Sequence, residues 1–155
     1  MTKVTIYTDG SSIGNPGPGG IGVVLISGNY RKEISEGYRK TTNNRMELLS
    51  VITGLEALKK TGMDVTIYSD SKYVVDAVEK GWIKKWQEKE FKNKKNVDLW
   101  QRFLRIFPRH NVKFIWVKGH SGDTENERCD KLAFESAGGS ELIIDEGYEK
   151  QNSDI

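Results

Sequence analysis

The apolar period of this chain changes at Asn44, and that change limits the folds open to it. Before it, "KVTIYTD" (3–9), "IGVVLIS" (21–27) and "YRKEISEGYRKT" (30–41) read as three strands in succession, the last two joined by a tight Gly28-Asn29 turn. From Asn44 to Lys60, "NRMELLSVITGLEALKK" repeats its apolar residues at helical spacing, and Gly62 follows as a stop. "DVTIYSD" (64–70) then reads as a buried strand and "SKYVVDAVEKG" as a helix. "NVDLWQRFLRIF" reads as a helix stopped by Pro108, and "VKFIWVKG" (112–119) as a further strand. "TENERCDKLAFESAG" closes as a helix whose Thr124 and Glu127 fit a capping box. The order βββ-α-β-α-α-β-α predicts an α/β domain: a mixed five-stranded sheet, antiparallel over its first three strands and then parallel, flanked by helices.

The join between the first two strands, "GSSIGNPGPGG", has the look of a phosphate-binding loop but lacks the Gly-Lys-Ser/Thr ending that such a loop needs. A dinucleotide fingerprint fails as well, because Pro16 and Pro18 break the glycine spacing and a strand, not a helix, follows. Asp9, set where the first strand meets this glycine-rich stretch, therefore needs another use.

At 155 residues the chain fits the soft prior of about 150 residues per domain, and 36% hydrophobic content supports a core. One domain is expected over residues 1–137, followed by an acidic, mobile tail over 138–155. The longest wholly apolar run, "VVLI", is far short of the roughly 18 to 20 residues that span a bilayer, so no membrane association is expected. The lone Cys129 cannot form an internal disulfide, and neither His110 nor His120 has the paired thiols of a zinc site. A soluble cytoplasmic protein is the expectation. Net charge is only +2, but residues 80–96, "KGWIKKWQEKEFKNKKN", hold seven lysines against Glu88 and Glu90, while residues 138–155 hold five acids against Lys150.

Four acids converge on paper. Asp9 and Asp70 end predicted strands in the matching contexts "IYTDGS" and "IYSDS", and such strand ends gather at one edge of an α/β sheet. Glu47 shares a helix face with Val51, Gly54, Leu55 and Leu58, and Asp130 does so with Ala133, Phe134 and Ala137, so each carboxylate stands at the end of a sheet-facing stripe. Each acid also has a plainer reading: Glu47 as the N3 member of a cap begun by Asn44, Asp9 and Asp70 as turn residues, Asp130 as one half of an ion pair. Taken together, four carboxylates in one place without cations would force protonation of some of them, whereas divalent ions resolve the repulsion. An all-oxygen donor set without Cys or paired His favours Mg²⁺ or Mn²⁺.

"YTDGSSIGNPGPGG", "TTNNRMEL", "YSDSKYV", "KNVDLW" and "WVKGHSGDTENERCDKLA" together resemble the bacterial type 1 ribonuclease H family over residues 3 to 137. The resemblance implies a ribonuclease H-like fold and hydrolysis of the RNA strand of RNA·DNA hybrids, leaving 5′-phosphate and 3′-hydroxyl ends. It implies two ions held by Asp9, Glu47, Asp70 and Asp130. Asp9 would bridge them, Asp130 would help hold the ion that activates water, and Glu47 and Asp70 would hold the ion facing the leaving oxygen. His120 would assist proton transfer or product release, with Glu127 serving either in the same way or as a cap.

For the substrate, the resemblance implies that Asn15, Asn43 and Asn44 meet the minor groove, where the thin glycine stretch lets backbone approach the 2′-hydroxyls of RNA. Thr42 and Asn96 would cradle a phosphate of the DNA strand. Trp82, Lys84, Lys85 and Trp86 would form a basic protrusion against that strand, although either Trp could instead close the core. Lys72 stands where many relatives carry Gln, and the stretch from Phe91 to Asn96 is short for the family. The implied partner is a hybrid duplex, taken by a monomer. Two other classes stay open: a hybrid-binding module without catalysis, and a DNA-processing nuclease or transposase of the same fold.

Overall fold

A computed structural model describes residues 2–119 and 122–153 of the chain. Three strands, β1 (Lys3–Ser12), β2 (Gly17–Ser27) and β3 (Tyr30–Thr41), form an antiparallel meander. Ser27 pairs with Tyr30 across a turn in which Gly28 takes φ 59°, as the Gly28-Asn29 signal predicts. Helix α1 (Asn43–Glu56) follows and leads to β4 (Asp64–Ser69), which lies parallel to β1. After α2 (Lys72–Glu79), α3 (Trp82–Glu88) and α4 (Val97–Ile106), β5 (Asn111–Trp116) pairs parallel with β4. Helix α5 (Thr124–Ala137), β6 (Leu142–Ile143) and α6 (Glu146–Ser153) complete the chain.

The sheet has six strands in the order β5-β4-β1-β2-β3-β6, one more than expected. The extra strand is β6, which pairs through Leu142 and Ile143 with Gly37 and Tyr38 of β3. Two residues are too few to leave a period in the sequence. The stretch expected as a tail also carries α6, and its Asp145 is buried. Helix α3 went unread because lysines interrupt its apolar residues, so it has no continuous stripe.

Successive strand residues face opposite sides of a sheet. Gly19 faces α1 through Met46, and Gly20 faces α5 through Ala133 and Ala137, so these helices cover opposite faces. On the α1 face lies the larger core, including Ile6, Val23, Leu48, Ile52 and Leu55 together with Trp100 and Phe103 of α4. Trp100 is fully buried and meets Tyr73, Trp86 and Phe103 edge-on at 5.6 to 5.7 Å between ring centroids. On the α5 face, Val24, Cys129 and Leu132 make a smaller cluster. Phe134, expected on this face, is 64% exposed, and Leu132 takes its place beside Ala133 and Ala137.

The cap expected for α5 shifts by one residue, and the plainer reading of Glu47 as a cap member fails. Asp123, not Thr124, caps α5: its Oδ1 accepts from the Glu125 and Asn126 N–H groups at 3.0 Å. Thr42 caps α1 by accepting from the Arg45 N–H at 3.3 Å, which puts Arg45 at N3 and moves Glu47 beyond the cap. Glu47 therefore has no capping duty to explain it.

Candidate active site

Asp9 lies within β1, opposite Gly22 of β2, and Asp70 directly follows the last residue of the parallel neighbour β4. Two glycines let the helices bring the other acids to this edge. A Cβ at Gly10 would overlap the backbone of Met46 and Glu47, so α1 can sit this close only on glycine. Glu47 Oε1 then accepts from the Gly10 N–H at 2.6 Å, fixing the helix beside Asp9. On the opposite face a Cβ at Gly22 would overlap the Cys129 carbonyl, and this close approach delivers the next residue of α5, Asp130.

Carboxylate oxygens of Asp9, Glu47 and Asp70 lie within 4.8 Å of one another. Asp130 lines the same cleft just outside that tight set, with Asn43, Asn44, Lys72 and Tyr73. Asp9 is only 8% exposed. Burial first, and the Asp70 charge next, push its carboxyl up to about 8. Glu47 is driven well above the usual carboxylate range, by burial and then by the charges of Asp9 and Asp70. Among the described residues no Lys, Arg or His makes an ion pair with any of the four. Lys118 lines an adjoining hollow with Asp9, Asp70 and Asp130 and forms no ion pair with them.

Such electrostatics are compatible with a site that receives cations. Oxygen donors cluster at chelating separations, and burial together with mutual repulsion raises the carboxyls of Asp9 and Glu47, a strain that bound positive charge would relieve. Burial also pushes the Cys129 thiol up, away from nucleophilic use, which leaves it as packing on the α5 face.

Sequence reading missed Trp116. Its Nε1–H donates to the Asp70 carbonyl at 3.1 Å, and the Lys72 ammonium rests 4.6 Å from the centre of its ring. A tryptophan ending a strand carries no signal for such a contact. Glu127, freed from the cap, lines the cleft beside Asp130. His120 lies outside the described residues.

The expected substrate residues fall into three groups. Asn15 and Asn43 meet at the glycine stretch, where Asn15 Oδ1 accepts from the Asn43 N–H at 3.1 Å and Asn43 Oδ1 accepts from the Ser12 N–H at 2.7 Å. Thr42, Asn44 and Asn96 line a neighbouring hollow. In α3 the two tryptophans divide: Trp82 is 39% exposed beside exposed Lys84 and Lys85, whereas Trp86 packs on Trp100.

Fold and cluster together define an α/β domain with a cleft of converging carboxylates that could hold a metal ion. The RNase H family model matches residues 1–138. Ribonuclease H of Syntrophus aciditrophicus (strain SB) is 54% identical over 151 residues, covering 94% of this chain and 87% of that one. LC9-RNase H1, described as a type 1 RNase H with the type 2 active-site motif, superposes with a TM-score of 0.82 at 32% identity, covering 100% of this chain and 82% of that one. LC11-RNase H1, solved in complex with RNA/DNA hybrid, gives 0.63 at 27% identity over 87% of this chain and 96% of that one. The chain belongs to the ribonuclease H family.

Proposed function

We propose that this chain is an endoribonuclease that hydrolyses the RNA strand of RNA·DNA hybrids. The observation that carries the proposal is the gathering of Asp9, Glu47 and Asp70 within 4.8 Å, with Asp130 in the same cleft and no cationic side chain paired to them among the described residues. Asp9, Glu47, Asp70 and Asp130 would hold divalent ions, Mg²⁺ by its preference for hard oxygen donors, with Mn²⁺ as a substitute. When bound, two such ions lower the pKa of the attacking water and stabilise charge on the leaving 3′-oxygen. The water oxygen bonds to phosphorus, the bond from phosphorus to O3′ breaks, and the products carry 5′-phosphate and 3′-hydroxyl ends.

The rest of the cleft supports a hybrid substrate. Asn43 and Asn44 border the carboxylates, in reach of a minor groove that displays 2′-hydroxyls. Exposed Trp82, Lys84 and Lys85 offer the DNA strand charge and an aromatic face, while Trp86 positions α3 on the core. His120 is proposed to assist proton transfer or product release.

Labelled hybrid, duplex RNA and duplex DNA, each incubated with Mg²⁺ and either the wild-type chain or Asp9→Asn, test the proposal. Cleavage is expected for the hybrid alone, in its RNA strand, and only by the wild type. Cleavage of duplex DNA alone, or binding of hybrid without metal-dependent cleavage, would reject it.

A further inference from the structure

The hollow next to the carboxylate cleft is lined by Asn15, Thr42, Asn44, Lys95, Asn96 and Tyr148, with Asn44 shared between the two. Its lining holds Lys95 and no acid, whereas four acids line its neighbour, so the hollow suits an anion rather than a metal. Hydrogens remain to serve such an anion. Thr42 Oγ1 accepts from the Arg45 N–H and keeps its own hydroxyl hydrogen. Asn96 gives one amide hydrogen to Tyr73 Oη at 3.1 Å and retains the second.

Tyr148 arrives from α6, in the stretch that the sequence presents only as acidic. Its position is fixed from three directions. The Tyr148 N–H donates to Asp145 Oδ1 at 3.3 Å, and the fully buried Arg45 grips Asp145 with Nε and Nη2 at 2.8 and 2.9 Å. The same guanidinium donates twice to Asp98 of α4 at 2.8 Å, and the Thr41 hydroxyl donates to Asp145 at 2.6 Å. Between them lies Gly147, where an added Cβ would overlap the Asp98 carboxylate and the Arg45 guanidinium and so disturb their ion pair. One buried arginine thus ties α6, the start of α4 beside Asn96, and the helix that begins after Thr42 into one unit around the hollow.

We propose that Tyr148 is a substrate-binding residue whose phenol hydroxyl donates to a non-bridging oxygen of a DNA-strand phosphate seated among Thr42, Lys95 and Asn96. The inference rests on the hybrid-hydrolase reading above and extends its phosphate cradle to the C-terminal helix. Under it, the buried Asp145 and the small Gly147 serve to deliver a donor to the site as well as to hold the helix down.

Tyr148→Phe removes the hydroxyl and keeps the ring in the wall. Hybrid binding is measured by fluorescence anisotropy in an Asp70→Asn background, on a native hybrid and on hybrids in which one DNA phosphate at a time is a neutral methylphosphonate. Loss of one hydrogen bond to a charged group predicts about tenfold weaker binding of the native hybrid. That penalty disappears for the one hybrid whose neutral position occupies the hollow. With Asp70 restored, the defect falls on KM rather than kcat. Native-hybrid affinity equal to that of the Asp70→Asn chain, or a penalty undiminished by any methylphosphonate, overturns the inference. Failure of the wild-type chain to cleave hybrid at all would instead remove the hydrolase reading, and the anisotropy series separates the two outcomes.

Discussion

Asp9→Asn is expected to stabilise the metal-free protein while removing its activity, and the pH dependence of that gain tests the electrostatics of the site. The Asp9 carboxyl rises from an ordinary 3.8 to about 8 on folding, because it is buried and faces Asp70. The folded chain therefore holds a proton that the unfolded chain releases. Stability from this group is fully present below pH 3.8 and is lost as pH climbs through about 8. At about 1.4 kcal/mol per pH unit, the full span corresponds to roughly 6 kcal/mol. Because Glu47 and Asp9 share protons as one coupled set, about 2 to 4 kcal/mol is the expected share of a single site.

Asn keeps the acceptor that receives the Gly10 N–H at 2.9 Å and carries no charge, so the variant should lack most of this slope. Urea unfolding followed by circular dichroism at pH 5, 7 and 9, with a chelator present, measures it. The wild type should lose stability across this range and fall below Asp9→Asn at pH 9. Millimolar divalent ion should reverse the ranking, since it binds the wild-type site and stabilises by mass action. Parallel pH profiles for the two chains in chelator, or a variant less stable than wild type at pH 9, would refute the reasoning.

Asp70→Asn should abolish cleavage and leave hybrid affinity largely intact, measured by gel cleavage and anisotropy, because it removes metal charge and leaves the groove-facing side chains in place. Replacing both Lys84 and Lys85 with Gln should weaken hybrid binding and flatten the plot of log K against log salt by up to about 2, at roughly 0.7 to 0.9 for each phosphate left without its lysine; an unchanged slope would separate α3 from the substrate. Asp145→Ala leaves the buried Arg45 charge with Asp98 alone, and a loss of about 3 to 5 kcal/mol in urea unfolding is expected.

Most of the sheet was legible because its strands announce themselves by apolar period, and the four acids stood out because two close apolar strand runs and two sit on sheet-facing helix stripes, although β1 continues past Asp9 to Ser12. What stayed hidden shares a physical reason. Gly17–Gly20 read as loop because glycine is a poor strand former, yet these residues open β2, where a Cβ on Gly20 would overlap the α5 backbone at Ala133 and Ala137. Asp145 looked like one more acid in an acidic run because its partner Arg45 lies 100 residues earlier. Pairing across such a separation leaves no local pattern. Phe134 failed as a core residue because helical spacing cannot tell which edge of a stripe the sheet covers.

The glycine-rich segment therefore answers a packing problem as much as a substrate one. Two acids can come from neighbouring parallel strands, but a third and a fourth require helices on both faces to reach the same edge, and carboxylate side chains allow little gap. Gly10 and Gly22 close that gap from opposite sides, against Glu47 and beside Asp130. Gly22→Ala should push α5 outward and lower stability by about 1 to 3 kcal/mol, the usual range for overpacking. It should also weaken divalent-ion binding in calorimetry, whereas Gly62→Ala, where a Cβ meets open space, should leave ion binding untouched and act only through its φ of 75°. If Gly22→Ala bound ions and unfolded like the wild type, backbone-close docking of α5 could not be what gathers the fourth carboxylate.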